Sequence, residues 1–359
     1  MRIGFDARWY FEGNISNRIV VRNLLDILLS SSKHEIIPIF RKKDYLKSKK
    51  NFPTSNPIFC SISNPLLSNY FEMPFLKRAN EMDIIITQNF SPIFGKFKKV
   101  NYVHDIIFED HPEFFSFIEK IYFKQMYFSS KKSDLVITIS KNEKQRLKKY
   151  NYSKNIEYIY HGVDFELTKH SSDSSIKNKL PNKYLLTVGR LNDRKNLGNT
   201  IKAFERINDP NFFLIVIGEK SWKFKELKIN DSIKNRIIFM QNLSTHDLST
   251  IYRNAYASIF LSLEEGFGLP ILESMYFGLP VILSDCSVMP EISGDAGIKV
   301  NPFNINEISY AMNCIINDNE MFKNQQNLSL KRSKSFSWKS SVNQLIYHCE
   351  KLIGNKNDS

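Results

Sequence analysis

The sequence predicts an α/β protein made of two doubly wound domains, each built on a parallel sheet. The chain has 359 residues, and such a length usually divides into two domains of about 150–180 residues each. Short apolar runs alternate with amphipathic stretches, which is typical of parallel strands connected by helices. A polar tract from Thr168 to Ser175 interrupts the alternation near the middle and is the best linker candidate.

Each predicted strand is a short apolar run bounded by polar or turn-forming residues. The runs of the first half are Ile3–Phe5, Ile36–Phe40, Asp83–Thr87, Val100–His104, Leu135–Ile139 and Ile156–Tyr160. The runs of the second half are Tyr184–Val188, Phe213–Ile217, Ile237–Met240, Ala257–Leu261, Val281–Ser284 and Gly297–Val300. Amphipathic stretches that predict helices include Leu197–Ile207, His246–Asn254 and Ser337–Ile353.

The predicted domain boundaries follow from this pattern. We expect a first domain over residues 1–165, a linker over 166–180, a second domain over 181–336 and a C-terminal helical segment over 337–359. Doubly wound domains bind their ligands at the carboxyl ends of the strands. An active cleft is therefore expected between the two domains, lined by the loops that follow the strands.

The charge of the chain limits the classes of partner. The formal net charge is +13 and the predicted isoelectric point is near 9.3, which suits nucleic acid, anionic lipid or acidic small substrates. The basic residues are spread out, and the sequence contains no helix-turn-helix, zinc-finger or RNA-stacking motif. Nucleic acid is therefore not the expected partner.

The cysteines and the apolar segments bear on localisation. The four cysteines, Cys60, Cys286, Cys314 and Cys349, are too scattered to suggest a zinc or redox site. No run of about 18 uninterrupted apolar residues predicts a membrane-spanning helix, and the N-terminus lacks the apolar core of a signal peptide. We expect a reduced, cytoplasmic protein.

The most informative stretch is Glu265-Gly-Phe-Gly-Leu-Pro-Ile-Leu-Glu273, which follows a predicted buried strand. Pro270 suits the first position of a helix, where its missing N–H is no loss. The N–H groups at the start of a helix favour phosphate, and Glu273 lies about one turn further on, within reach of sugar hydroxyls. The stretch therefore suits a ligand with both a phosphate and a polyol; the alternative is a pair of surface charges beside a turn.

With the Ser-Met-Tyr-Phe-Gly-Leu-Pro280 that follows, this stretch resembles the E-x7-E signature of retaining glycosyltransferases of family 4. The resemblance implies the GT-B fold, with two Rossmann-like domains facing a cleft and a C-terminal helix that returns to the N-terminal domain. It also implies that Glu265 faces the transferred sugar and that Glu273 binds the ribose of the nucleotide. The residues assigned to the donor pocket between these carboxylates are Gly266, Phe267, Gly268 and Leu269.

A second motif, Gly189-Arg190 with Lys195-Asn196, follows the first strand of the second half. Gly189 allows a sharp turn, and two fixed cations beside a leaving diphosphate would stabilise its growing negative charge. The resemblance places Arg190 and Lys195 on the diphosphate and leaves Arg194 pointing away; the alternative is a solvated basic loop. No Asp-x-Asp pair follows a strand, and cations of the protein can replace a metal. We therefore predict no metal and no cofactor.

Three further segments complete the predicted donor site. The resemblance places His104, at the end of a strand, on the donor sugar, although a lone histidine is more often structural. Gly13 is assigned to the N-terminal loop, which either approaches a phosphate or forms a lid for the acceptor. Asn242 and Leu243 resemble the loop whose backbone reads the base. The segment from Ser284 to Glu291 either closes the nucleotide side or is a plain strand–helix junction.

The resemblance implies transfer of a hexose with retention, in which an oxygen of the donor's own phosphate deprotonates the acceptor. The Phe-Asp-Ala-Arg8 start and the Val-His104-Asp segment look most like mannosyltransferases of O-antigen or capsule synthesis. We expect GDP-mannose as donor and a lipid-linked or oligosaccharide hydroxyl as acceptor. The alternatives are a UDP-sugar-dependent transferase, a sugar-nucleotide 2-epimerase and a non-catalytic binding module.

A basic and aromatic segment bears on the acceptor. Over Phe114–Phe128, Phe, Ile and Tyr residues are interleaved with Lys120 and Lys124. Such a surface suits anionic headgroups, so we expect a peripheral contact with the inner face of the cell membrane. The alternative is an ordinary core-facing helix with solvated lysines.

Overall fold

The computed structural model describes residues 1–221 and 227–354. The chain divides into two units: Met1–Gly162 with the C-terminal segment from Ser337, and Val163–Phe336. Each unit contains one parallel sheet with helices in the connections between its strands. The last five residues of the predicted segment 337–359 lie outside the described residues.

The first unit is built on a parallel sheet. Its strands are β1 (Arg2–Asp6), β2 (Glu35–Arg41), β3 (Ile58–Cys60), β4 (Ile84–Gln88), β5 (Lys98–Tyr102), β6 (Leu135–Thr138) and β7 (Ile156–Tyr158). The order across the sheet is β3-β2-β1-β4-β5-β6-β7, so the strands are added first to one side of β1 and then, from β4 onwards, to the other side. Ile3 pairs with Ile36 on one side and with Ile84 on the other. The topological switch point of this sheet therefore lies between β1 and β4, and doubly wound domains bind their ligands at such a point.

Six helices of the first unit lie before the chain enters the second unit. They are α1 (Ile15–Ser31), α2 (Tyr45–Asn51), α3 (Pro65–Phe71), α4 (Ile107–Asp110), α5 (Phe117–Lys131) and α6 (Lys141–Lys149). A capping box starts α5: Ser116 Oγ accepts from the Glu119 amide at 3.2 Å, and Glu119 Oε2 accepts from the Ser116 amide at 2.7 Å. The Phe-rich segment of the sequence therefore begins its helix at Phe117.

The second unit repeats the arrangement with a six-stranded parallel sheet. Its strands are β8 (Lys183–Val188), β9 (Phe212–Ile217), β10 (Ile237–Met240), β11 (Ala257–Phe260), β12 (Val281–Ser284) and β13 (Ile298–Val300). The order is β10-β9-β8-β11-β12-β13, so here the switch lies between β8 and β11. Leu185 of β8 and Ile259 of β11 contribute to a core of buried apolar side chains, against which further partly buried ones pack. These strands are almost wholly apolar, as expected for a sheet covered on both faces.

In the second unit, the last two helices are longer than those before them. The helices are α7 (Phe165–Thr168), α8 (Leu197–Phe204), α9 (Asp231–Lys234), α10 (Thr245–Asn254), α11 (Leu269–Tyr276), α12 (Met289–Ser293), α13 (Ile305–Asn317) and α14 (Asn319–Ser333). The polar tract predicted as a linker belongs to this unit. Within it, Ser174 Oγ donates to Asp247 of α10 at 2.7 Å, and the Ser174 amide donates to Thr250 Oγ1 at 2.8 Å.

The last described helix, α15 (Trp338–Gly354), belongs to the first unit. Trp338 is buried, and its ring stacks on His161 with 5.0 Å between centroids. Further along, Glu350 Oε1 lies 2.9 Å from His34 Nε2, which follows α1. Over residues 1–221 and 227–354, no helix has the length and apolar character needed to cross a membrane.

Candidate active site

The predicted donor-binding loops of the second unit all follow carboxyl ends of its parallel strands. Gly189 comes directly after β8, Asn242 after β10 and Glu265 shortly after β11. Because parallel strands end at the same edge of a sheet, these loops share that edge. The β8 and β11 loops meet at the switch point of the sheet, the position where doubly wound folds place their ligands.

The loop after β8 requires glycine at its base. Gly189 has a φ of +147°, and a Cβ there would lie 3.0 Å from Cε and Nζ of Lys195. A Cβ on Gly218, after β9, would lie 2.0 Å from the carbonyl oxygen of Gly189. The two glycines therefore allow neighbouring loops to approach closely, and the Lys195 side chain folds back over the first of them.

A short 3-10 turn over Asp193–Lys195 then carries two of the cations of the loop, Arg194 and Lys195. Asn192 caps this turn, with its Oδ1 accepting from the Lys195 amide at 3.2 Å. Asn196 is left-handed, with a φ of 55°, a conformation that asparagine tolerates better than most residues, and α8 begins at the next residue. The Lys-Asn pair of the motif thus marks the change from the turn to the helix.

Glu265 receives both cations. Lys195 Nζ lies 2.5 Å from Glu265 Oε1, and Arg194 Nη1 lies 2.9 Å from Glu265 Oε2. Arg194 also donates to the carbonyl oxygen of Glu264, and its own carbonyl accepts from the Leu263 amide at 2.8 Å. The loop after β8 and the loop after β11 are therefore joined by an ion triad, by one backbone hydrogen bond and by the bond from the Arg194 side chain to the Glu264 carbonyl.

The electrostatics of the triad keep the carboxylate ionised. Burial alone would raise the pKa of Glu265, but the charges of Arg194 and Lys195 outweigh it and lower that pKa from 4.5 to about 2. Burial lowers the pKa of Lys195, an effect that the Glu265 carboxylate opposes. The Lys195 ammonium also lies 4.6 Å from the centroid of the Phe260 ring. Arg194 and Lys195 together keep Glu265 charged, and Glu265 in turn favours the charged form of Lys195 in this largely buried place.

The segment after β12 supports the same loop. Ser287 Oγ accepts from the Glu265 amide at 3.2 Å and donates to the Glu264 carboxylate. Ser287 has a φ of 56°, the left-handed region that a serine rarely occupies. Through Ser287, the segment from Ser284 to Glu291 thus lies against the carboxylate loop, a contact that no pattern in the sequence indicates.

Glu273 lies in the second turn of α11 and has a different partner. Gly268 precedes the helix in a left-handed conformation with a φ of 89°. Glu273 is buried, and its Oε2 accepts a hydrogen bond from the Tyr252 hydroxyl at 2.7 Å. Burial raises the pKa of Glu273 to about 7; the Tyr252 hydrogen bond opposes this rise and the charge of Asp164 adds to it. The two carboxylates of the signature therefore differ in charge near neutral pH.

Replacing Glu273 with glutamine is expected to change how stability depends on pH. The unfolded chain releases this proton near pH 4.5 and the folded protein near pH 7, so the folded state binds more protons between them and stability falls as pH rises through that window. Glu273→Gln keeps an acceptor for Tyr252 and removes the titration. Above pH 7 the variant should be more stable by on the order of 1–3 kcal/mol.

Thermal unfolding midpoints of the wild type and the variant between pH 4.5 and 8 test this expectation. Glu320→Gln, at an exposed position of α14, is the matched control and should follow the wild-type curve. Parallel curves for Glu273→Gln and the wild type would contradict the assignment.

The other predicted donor residues of this unit do not contact the ion triad in any hydrogen bond or ion pair described above, and each has its own surroundings. Arg190 is exposed at the tip of the loop after β8, and Asn242 is exposed with a φ of 56°. Leu243 packs against one of the two cores of the unit. Phe267 is buried, with 6.0 Å between its ring centroid and that of Phe336. The structure joins Gly189, Lys195 and Glu265 by direct contact, whereas it shows these other residues only on the same loops.

In the first unit, His104 follows β5 and is held by β4. Its Nε2 lies 2.9 Å from Gln88 Oε1, and its amide donates to Asn89 Oδ1 at 3.0 Å. Burial lowers the pKa of His104 to about 4, so the imidazole is neutral at physiological pH. Gly13 lies on the loop before α1 with a φ of 131°, and a Cβ there would come within 3.3 Å of Trp9.

Arg194 corrects the sequence interpretation. The resemblance left it out of the site as pointing away, yet its guanidinium binds the Glu265 carboxylate. Arg194 and Lys195 are neighbours on a tight 3-10 turn. Their long side chains can therefore reach the same carboxylate, although they start in different directions. Among the described residues, no group of three or more His, Cys, Asp or Glu side chains is arranged to hold a metal ion.

Comparison with known families agrees with this arrangement. The family model described as glycosyl transferases group 1 matches residues 168–332, and the model described as glycosyltransferase family 4 matches residues 29–167. The two matches together cover both sheets for most of their length. The chain belongs to glycosyltransferase family 4.

Similar proteins include two bacterial mannosyltransferases. The chain is 32% identical over 205 residues to the O-antigen chain mannosyltransferase RfbU of Salmonella typhimurium strain LT2, covering 56% of each chain. It is 29% identical over 169 residues to the O-antigen chain mannosyltransferase B of Escherichia coli, covering 45% of this chain and 44% of that one. The matches therefore span about half the length of these relatives.

Solved structures are similar over nearly the whole chain. The sucrose-phosphate synthase of Thermosynechococcus elongatus superposes with a TM-score of 0.72 at 19% identity, covering 99% of this chain and 100% of that one. HepE of Anabaena, in complex with UDP and glucose, gives a TM-score of 0.70 at 16% identity over 98% and 100% of the two chains. At these identities the likeness establishes the fold, which is GT-B, as predicted.

Proposed function

We propose that this protein is a retaining hexosyltransferase that moves mannose from GDP-mannose to a hydroxyl of a lipid-linked or oligosaccharide acceptor. The acceptor would be a growing O-antigen or capsule chain. Membership of glycosyltransferase family 4 and the names of the two mannosyltransferase relatives support the reaction and the sugar. The GDP base rests on the resemblance alone.

One observation carries the proposal: a buried carboxylate and two cations meet at the switch point of the second unit. Lys195 and Arg194 each lie within hydrogen-bonding distance of the Glu265 carboxylate, on the loops that follow the paired strands β8 and β11. A nucleotide sugar has an anionic diphosphate joined to a polyol. A site with fixed cations beside a fixed carboxylate suits both parts of such a donor.

In the proposed transfer reaction, the cations and the carboxylate have different roles. The bond between the anomeric carbon and the diphosphate oxygen breaks, and the acceptor oxygen bonds to that carbon on the same face. The acceptor proton passes to an oxygen of the departing diphosphate, so no carboxylate of the enzyme has to be a covalent nucleophile. Lys195 and Arg190 stabilise the charge that builds on the leaving group. Glu265, ionised with a pKa of about 2, orients sugar hydroxyls and stabilises positive charge at the anomeric carbon.

The supporting residues follow from the same proposal. Glu273 would accept from or donate to the ribose hydroxyls, as its buried position on α11 and its raised pKa allow. The loop with Asn242 and Leu243 would contact the base through its backbone. Cationic side chains of the protein would neutralise the diphosphate in place of a divalent metal ion. Transfer should therefore continue in the presence of EDTA.

Calorimetry with GDP and UDP is the first test. We expect GDP to bind at least tenfold more tightly, a difference of about 1.4 kcal/mol. A preference for UDP would replace GDP-mannose by a UDP-sugar while leaving the transferase intact. Failure of both nucleotides to bind at millimolar concentration would overturn the donor site.

Assays with GDP-mannose then separate the reaction classes. We expect slow hydrolysis without acceptor, and transfer with retained anomeric configuration when a lipid-linked glycan is added. Release of an epimerised sugar nucleotide without acceptor would indicate a 2-epimerase instead. Donor binding with no turnover over a panel of acceptors would favour a binding module.

A further inference from the structure

Helix α5 exposes a row of apolar side chains to solvent, with Lys124 among them. Phe117, Ile121 and Phe128 recur at helical spacing on one face, and the exposed fractions of Phe117 and Ile118 are 73% and 78%. Most large apolar side chains of a soluble protein are at least half-buried, so a row of this kind indicates an interaction surface. The alternative that the helix simply faces the core does not apply to this side of it.

Helix α3 extends the exposed surface. Tyr70 packs α3 against α5, with its hydroxyl donating to the Gln125 carbonyl at 3.3 Å. Phe71 ends α3 with 67% exposure, and Phe75, on the turn that follows, is 71% exposed. The Phe75 ring contacts that of Phe94 with 5.4 Å between centroids. Two adjacent helices and the loop beside them thus present aromatic rings outwards.

Lysines surround and interrupt these rings. The three segments 64–77, 91–97 and 116–132 contain six lysines and two glutamates. Both glutamates are occupied within the protein: Glu119 caps its own helix, and Glu72 accepts from the amides of Ser61 and Ile62 at 2.5 and 3.1 Å. The outward charge of the surface is therefore positive. The lysines are Lys77, Lys96, Lys120, Lys124, Lys131 and Lys132.

We propose that this surface, formed by α3, the Phe75–Phe94 pair and α5, docks on an anionic phospholipid bilayer. The apolar side chains would enter the boundary between headgroups and acyl chains, and the lysines would contact lipid phosphates. A protein partner fits less well, because the centres of protein interfaces are depleted in lysine and this surface is interleaved with it. The inference goes beyond the proposed transfer reaction and does not depend on it.

Co-sedimentation of the full chain with vesicles tests the proposal. We expect binding to vesicles of phosphatidylglycerol and phosphatidylethanolamine, at least tenfold weaker binding to phosphatidylcholine, and release in 0.5 M salt. The double variant Phe117→Ser/Ile121→Ser should weaken binding at least tenfold. Lys120→Gln/Lys124→Gln should weaken it roughly 25-fold, since each basic residue near an anionic surface contributes about fivefold.

The controls distinguish this surface from general charge and apolarity. Phe303→Ser/Lys202→Gln changes an exposed aromatic and an exposed lysine of the other unit, and it should bind vesicles like the wild type. Glu265→Gln should also bind like the wild type, so failure of the transfer proposal leaves this result unchanged. Equal binding to neutral vesicles, or none to anionic ones, would overturn the proposal. Self-association abolished by the Phe117→Ser/Ile121→Ser change would assign the surface to a second copy instead.

Discussion

Replacing Glu265 with glutamine is expected to reduce the rate of sugar transfer at least about 100-fold, the usual effect of removing one electrostatic contact to a transition state. Nucleoside diphosphate affinity should be retained or increase in the same variant. The amide has nearly the shape of the carboxylate but no charge, so it cannot stabilise positive charge on the sugar. At the same time, Arg194 and Lys195 lose the anion that occupies them.

The opposite directions of the two effects make this prediction specific. A change that merely damaged the fold would weaken both transfer and binding. Some loss of stability is still expected, on the order of 1–3 kcal/mol, because removing one partner leaves buried cations uncompensated. Bound diphosphate would supply the missing negative charge, so saturating GDP or UDP should restore more stability to Glu265→Gln than to the wild type.

The measurements are initial transfer rates, calorimetric affinity for the nucleoside diphosphate and the thermal unfolding midpoint with and without it. Glu264→Gln is the matched control, since the Glu264 carboxylate binds Ser287 and its carbonyl oxygen remains available to Arg194. We expect that variant to keep its transfer rate within a few-fold. A Glu265→Gln enzyme with an unchanged rate would remove Glu265 from the reacting centre.

The sequence predicted the fold well because its signals are local. Ten of the twelve predicted strands have bounds that differ from the observed ones by at most one residue at each end. The exceptions are Val100–His104, observed as Lys98–Tyr102, and Ile156–Tyr160, observed as Ile156–Tyr158. Buried parallel strands appear in the sequence as apolar runs, which can be recognised without knowing which strands pair with them. Strand β3, Ile58–Cys60, was not predicted, because three residues beside Pro57 form too short a run to stand out.

The candidate site was predicted less completely because its contacts join distant residues. The glycines, Lys195 and both glutamates could be found from their spacing along the chain. The partners of the carboxylates could not: Glu265 lies 71 positions from Arg194, and Glu273 lies 21 positions from Tyr252. Such pairs depend on the rotamers of both side chains and on how the strands are ordered, and neither is visible in a local pattern.

Burial likewise separates carboxylates that look equivalent in the sequence. Glu265 has two cations beside it and Glu273 has a tyrosine, so the pKa of the first falls to about 2 and that of the second rises to about 7. Similarly, burial lowers the pKa of His104 to about 4 and so keeps its imidazole neutral near pH 7. The motif predicts which residues matter, and the surroundings of each side chain decide its protonation.

Replacing Lys195 with alanine is expected to weaken nucleoside diphosphate binding about 10- to 100-fold, the range for losing a hydrogen bond between charged groups. Lys202→Ala, which removes the same charge from an exposed position of α8, is the matched control and should change affinity less than threefold. Calorimetry at two salt concentrations measures both variants. Equal affinities for Lys195→Ala and the wild type would mean that the diphosphate binds elsewhere.

A double-mutant cycle with Glu265→Gln distinguishes direct contact from an indirect effect. In the wild type, Lys195 is already bonded to Glu265 at 2.5 Å, so the diphosphate competes with that carboxylate for the ammonium. If Lys195 binds the diphosphate, removing it in the Glu265→Gln background should cost at least as much affinity as in the wild type, because the competitor is gone. If Lys195 only holds Glu265 in place, its removal should have no effect in that background. The sign of the coupling therefore decides whether the ammonium contacts the leaving group or acts only through Glu265.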